Sequence, residues 1–393
     1  LKTLVKIGSP LAALLVAFGA WQWWSSATNA DFQQECRRAE QSGNWAKLEE
    51  ISSAWTRARP NDALPWYSLG QAQLKLGDFT GAANAFKRVP VNGPRGIDAG
   101  TALMRLLFQH LNEPRKAVEL ARQLLELDPR LPDPRRTGIY FYGMTSQRGL
   151  LLKDLYAAIK TRADLPEHYV YLITLEDLSF RDGDVVTKRW LDSDPEDLNL
   201  KIAHSVQAAR IARAKFLTSP SDALRSQMLE VTEQLNILKA ESPGSGRILD
   251  VLLQSAMDDG DLTTAENLLA LVTDDAAGDP VIWFWLGTFS RQTGDLIEAE
   301  RALRQAVKLH PLGWKSRNEL AMVLRASNRS EEAAIQQKLA ATGMQLATEI
   351  RRLGHVSEVS REILEQIAQY AVQCEDWPVA NGIFRRHAPG FSN

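Results

Sequence analysis

Cysteine is nearly absent: Cys36 and Cys374 are the only two in 393 residues. Two thiols near opposite ends of a chain supply neither a disulfide framework nor a thiolate metal site. In an elongated fold they cannot reach each other, and they read as two small buried apolar residues. Histidine is scattered. His110, His168, His204, His310, His355 and His387 each stand at least 32 residues from the next, with no HExxH pair and no Cys–His cluster, so no sequence-local zinc centre is expected. An excess of charge of one sign is also missing. The chain carries 46 Lys and Arg against 48 Asp and Glu, whereas a duplex-binding protein usually shows a basic excess or a basic face; nucleic acid is not an expected partner. Pro243-Gly244-Ser245-Gly246 is the one glycine-dense stretch. It lacks the spacing of a nucleotide-binding loop or of GxSxG, and reads as a linker between helices. The carboxylate pairs Asp274-Asp275 and Glu375-Asp376 suit solvated surfaces or helix caps better than two carboxyls facing across a cleft. No cofactor, metal or catalytic residue is expected.

Long apolar runs are missing too, except at the start. Residues 4–24, LVKIGSPLAALLVAFGAWQWW, would form a helix roughly 31 Å long, close to the thickness of a bilayer's hydrocarbon core. Lys2 and Lys6 precede or open it, no acidic residue occurs before Asp31, and Trp21, Trp23 and Trp24 close it. Basic flanks and an aromatic belt predict a single-pass anchor in the inner (cytoplasmic) membrane, with the remainder on the periplasmic or extracytoplasmic side. The small residues at Ser25-Ser26-Ala27 and Thr28-Asn29-Ala30 leave a cleaved signal peptide as the alternative.

What the chain has in quantity is a repeat with an offset of 34. Gly43-Asn44-Trp45 recurs as Gly77-Asp78-Phe79, and Pro60 as Pro94; Gly260-Asp261-Leu262 recurs as Gly294-Asp295-Leu296 and, more loosely, as Asn328-Arg329-Ser330. Ala265, Ala299 and Ala333 keep the same interval, as do Leu252, Leu286 and Leu320. Small residues such as Gly70, Ala82, Gly287 and Ala299 let paired helices approach. Trp66, Leu69, Phe79 and Phe86 fill the space around one pair, and Trp283, Leu286, Leu296 and Leu303 fill it around another. Gly-Asp turns the chain and caps the following helix, while Pro94 and Pro311 end their units. The units from Ala63 and from Pro280 resemble the tetratricopeptide repeat family, although Gln73 and Ser290 stand where that family often has Tyr. The resemblance implies an all-α, right-handed superhelical solenoid of antiparallel helix pairs, here preceded by one transmembrane helix.

The boundaries follow: residues 1–28 as anchor, 29–134 as an N-terminal repeat block, 135–243 as degenerate helical repeats, 244–341 as a C-terminal repeat block, and 342–393 as a linker and terminal helix pair. The family's partner-reading stations fall on Arg247, Phe284, Arg291, Lys315, Asn318 and Arg325 in the C-terminal block, among other residues, and on Leu64, Tyr67, Gln71 and Leu74 in the N-terminal one. The first set suggests an acidic or C-terminal peptide gripped by Arg291, Lys315 and Arg325 over Phe284. The second suits a helix or an apolar segment. The expected role is a membrane-anchored scaffold or assembly adaptor that binds proteins through the repeats and the bilayer through its N-terminal helix. A permanent structural subunit of a membrane complex is the alternative, and an enzyme with a site in the central helical region stands further off.

Overall fold

The computed structural model describes residues 29–387, apart from Ser179 and Asp275. The expected anchor at 1–28 lies outside the described residues. Among those residues all regular structure is helical, and no helix is long and apolar enough to cross a membrane.

The chain divides into two compact units. The first, ending at Leu127, contains α1 (29–41), α2 (Trp45–Ala58), α3 (Ala63–Leu76), α4 (Phe79–Phe86), α5 (Gly96–Gln109) and α6 (Pro114–Leu127). Its core forms in two clusters, one around Cys36, Leu48, Ile51 and Trp55, the other around Ala82, Phe86, Ala99 and Leu106. Gly70 shows why the pair α3–α4 takes a small residue. A Cβ there would lie 2.7 Å from the Phe86 ring, so any side chain would push the helices apart.

Turns between paired helices share one geometry. The chain enters the left-handed region at Gly43, Gly77, Gly260 and Gly294, and a following Asn or Asp accepts a backbone N–H three residues on: Asn44 from Lys47 at 3.0 Å, Asp78 from Gly81 at 2.8 Å, Asp295 from Glu298 at 3.0 Å. The amide after the left-handed residue also reaches back five residues, as in Asp78 N to Gln73 O at 2.9 Å, a Schellman closure. The same closure joins Gln147 N to Tyr142 O at 2.8 Å with Ser146 at φ 57°. A repeat-type turn therefore survives where the glycine signal has vanished.

The second unit continues from Asp128. It holds α7 (Pro132–Met144), α8 (Arg148–Thr161), α9 (Pro166–Thr174), α10 (Gly183–Ser193), α11 (Leu198–Thr218), α12 (Asp222–Glu241), α13 (Gly246–Asp258) and α14 (Leu262–Leu269). It ends with α15 (Pro280–Thr293), α16 (Leu296–Leu309), α17 (Trp314–Ala326), α18 (Ser330–Arg351), α19 (Arg361–Gln373) and α20 (Trp377–His387). Helices α11 and α12 run to 21 and 20 residues, which removes the 34-residue period from the middle of the chain. The pair α15–α16 restores it, with Gly287 so close that a Cβ would lie 2.4 Å from Leu303 Cγ.

This unit does not stay open along its succession of pairs. Helix α20 packs on α8, and both α18 and α19 pack on α9. Tyr156 Oη donates to Asp376 at 2.5 Å, and Arg385 donates to the Ile159 carbonyl at 3.0 Å. Arg386 binds the carbonyl and carboxylate of Asp164. Helix α9 is buried from Glu167 through Ile173 without a break, as a helix walled on every side must be. Among its residues, burial first and then the Arg136, Arg386 and Arg135 charges push His168 down to about 3. A base held neutral in the fold favours the native state above its unfolded value near 6.5. That contribution fades as pH falls from there toward 3. Urea midpoints measured across this range should therefore decline more steeply for the native chain than for His168→Gln.

Candidate interaction surfaces

A charged cluster sits at the centre of the second unit. It is built by the turn Thr145–Gln147, by the segment after α9 and by the first helices of the later pairs. Arg148, 2% exposed, donates to Asp250 at 2.7 Å, to Asp279 at 3.4 Å and to the Leu175 carbonyl at 3.2 Å. Arg210 donates to the same Asp250 oxygen at 2.7 Å, to Ser146 Oγ at 2.8 Å and to the Leu178 carbonyl at 2.7 Å. Trp285 Nε1 completes the set on Asp250 Oδ1 at 2.8 Å. Burial alone would raise the Asp250 carboxyl, but the Arg148 and Arg210 guanidinium groups overcome it and hold the group well below the carboxylate range. Asp279 also accepts from Val281 N at 3.0 Å, capping α15. The guanidinium and carboxylate groups here are partnered within the chain, so the cluster acts as a fastening.

The acidic turn Leu175–Asp177 lies against α17. Glu176 accepts from Lys315 N at 2.8 Å, Ser316 N at 3.1 Å and Ser316 Oγ at 2.7 Å, taking the unpaired amides at the start of that helix. Asp177 pairs with Lys315 Nζ and with Arg351, the latter at 2.5 Å. His310 Nε2 meets the Leu172 carbonyl at 2.7 Å.

The expected partner-reading residues divide accordingly. Arg247 donates to the Thr145 and Asn199 carbonyls at 3.3 and 3.4 Å and to Asn199 Oδ1 at 2.8 Å, and burial brings it down to about 10. Arg291 binds Glu319 at 2.8 Å, and Asn318 accepts from Gln337 at 3.2 Å. Phe284 packs edge-on to Trp285, ring centroids 4.8 Å apart, and touches two successive cores. Lys315 is engaged by Asp177, while Arg325 is exposed. These side chains lie on consecutive first helices, but most face groups of their own chain. Sequence reasoning missed Arg148 and Arg210, because pairs 102 and 40 residues apart leave no local pattern.

In the first unit Tyr67 is half-buried, with its ring 6.1 Å from that of Phe86 and the Arg95 guanidinium 5.5 Å from its centre. Leu64, Gln71 and Leu74 beside it are also partly exposed. Among the described residues no carboxylate is hydrogen-bonded to this row, and burial, foremost, raises the Tyr67 phenol above its ordinary value.

The family model of the tetratricopeptide repeat matches residues 48–97 and 291–345; those two stretches are repeats of this kind. No curated protein matches the chain. Among solved structures, the APC/C hetero-tetramer Cut9–Hcn1 is similar at 12% identity over 90% of this chain and 86% of that one, with a TM-score of 0.34. A tetratricopeptide repeat protein from Parabacteroides merdae shares 14% identity over 75% and 98%, TM-score 0.30. The human IFIT1 dimer with PPP-AAAA shares 12% over 78% and 88%, TM-score 0.31.

Proposed function

We propose that the chain is a protein-binding scaffold whose receptive surface is the Leu64–Tyr67–Gln71–Leu74 row of the first unit, while the second unit serves chiefly as a self-fastened body. The observation that carries this reading is the contrast between the two rows. On the second unit a peptide carboxylate would have to displace Glu319 from Arg291 and Asp177 from Lys315, exchanging one charge-assisted bond for another at no gain. On the first, an aromatic ring and two leucines stand partly exposed without such an occupant, the composition that anchors a helix or apolar segment. Acidic or C-terminal peptides gripped by Arg291, Lys315 and Arg325 form the second reading, and exposed Arg325 is the feature that favours it.

The apolar run 4–24 with its flanking Lys2 and Lys6 supports attachment to an inner membrane, with the repeats on the periplasmic or extracytoplasmic side. A permanent place in a membrane complex is compatible with the same surfaces. The test is recovery of proteins that co-purify with the detergent-extracted chain. Tyr67→Ala should lower recovery about tenfold, the scale of losing one aromatic anchor, and Arg291→Glu with Arg325→Glu should leave it unchanged. The opposite pattern would transfer the receptive surface to the second unit.

A further inference from the structure

Trp377, Ala380 and Phe384 of α20 repeat the internal spacing of Phe79, Ala82 and Phe86 in α4, after an insertion that breaks the 34-residue register. In the interior pairs the last of these stations is covered by neighbouring helices, and Phe86 is 1% and its counterpart Leu303 0% exposed. On α20 the same station, Phe384, is 47% exposed, and Trp377 is 54% exposed. Helix α20 packs on α19 and α8, and Val379, Ala380, Gly382 and Ile383 form its buried side. Seven residues separate the two aromatics, which puts them on one face; exposed Asn381 lies between them.

We propose that this face is a self-association surface, covered in solution by α20 of a second copy running antiparallel. Charge favours that occupant. Glu375, exposed and without an ion pair among the described residues, lies just before the N-terminal end of α20. Arg385, near the C-terminal end, donates among the described residues to carbonyls, those of Asn381 and Ile159. A two-fold axis near Asn381 sets each acidic end beside the basic end of its mate. It brings Trp377 against Phe384 and Arg385, and makes the patch complementary to itself. An 11-residue helix offers less than the about 1,200 Å² of a standard interface, so the pair is a weak, reversible one.

Sedimentation equilibrium of the detergent-extracted chain, with detergent density-matched, should show a monomer–dimer equilibrium in the tens-of-micromolar range, flattened at least tenfold toward monomer by Phe384→Glu. Both aromatics are half in solvent, so circular dichroism of the variant should match the native trace. Asn381→Cys should give a disulfide-linked dimer on mild oxidation, since Cys36 and Cys374 are buried. A native chain that remains monomeric at 200 µM (roughly ten times the expected constant), or a dimer indifferent to Phe384→Glu, would overturn the proposal.

Discussion

Replacing Arg148 with alanine is expected to destabilise the second unit by about 3–5 kcal/mol, the cost of breaking a buried ion pair and leaving its partners uncompensated. The guanidinium is fully enclosed and bonds three acceptors from three stretches of chain: Asp250, Asp279 and the Leu175 carbonyl. Without it, Asp250 keeps Arg210 and Trp285, but Asp279 keeps only its bond to the Val281 amide. Thermal unfolding should start on the order of 10 °C lower, from the few degrees per kcal/mol typical of a unit this large. Hydrogen exchange should place the loss in the second unit alone. The sign follows from charge removal, so Arg148→Lys, which keeps a cation without the fork, should recover only part of the loss. An unaltered melting profile for the alanine variant would remove the cluster from any account of stability.

A chain ending at Glu375, which removes α20 with its capping Asp376, should lose hydrogen-exchange protection in α8 and α9, more than 200 residues upstream, by at least a hundredfold. In an open repeat array each unit leans on its neighbours alone, and removing the last helix frays only the penultimate one. Here α20 seals Tyr156 through Asp376, and Gly382 approaches Tyr169 so closely that a Cβ would lie 2.4 Å from its hydroxyl. Deleting α20 opens the Ile159 and Tyr169 side chains, 2% and 0% exposed, to water, and the opening free energy of the segment falls with them. Fraying confined to α18 and α19 would show that the closure contributes nothing.

Much of the fold was legible because its cause is local. Gly43, Gly77, Gly260 and Gly294 appear as turns for a backbone reason, and Gly70 and Gly287 appear as crossings because nothing larger fits. The turn at Ser146 has the same geometry without glycine, so the bounds of the pair α7–α8 were hidden at the edge of a region that reads as degenerate helical repeats. Closure was illegible for a different reason. Tyr156 and Asp376 are 220 residues apart, and a single hydroxyl meeting a single carboxylate leaves no periodic trace. Arg247, Arg291 and Lys315 look like free cations in the sequence because their partners, Asn199, Glu319 and Asp177, are assembled only by the fold.

The enclosure of α9 has a consequence for synthesis. Its buried run Tyr169–Ile173 leaves the ribosome long before the helices that wall it in. At about 5–20 residues per second, α20 follows roughly 10–40 s later. For that interval the apolar stretch Tyr-Val-Tyr-Leu-Ile has α8 beside it but lacks the walls that α18, α19 and α20 supply, which ties burial of this helix to the synthesis of segments some 200 residues further on.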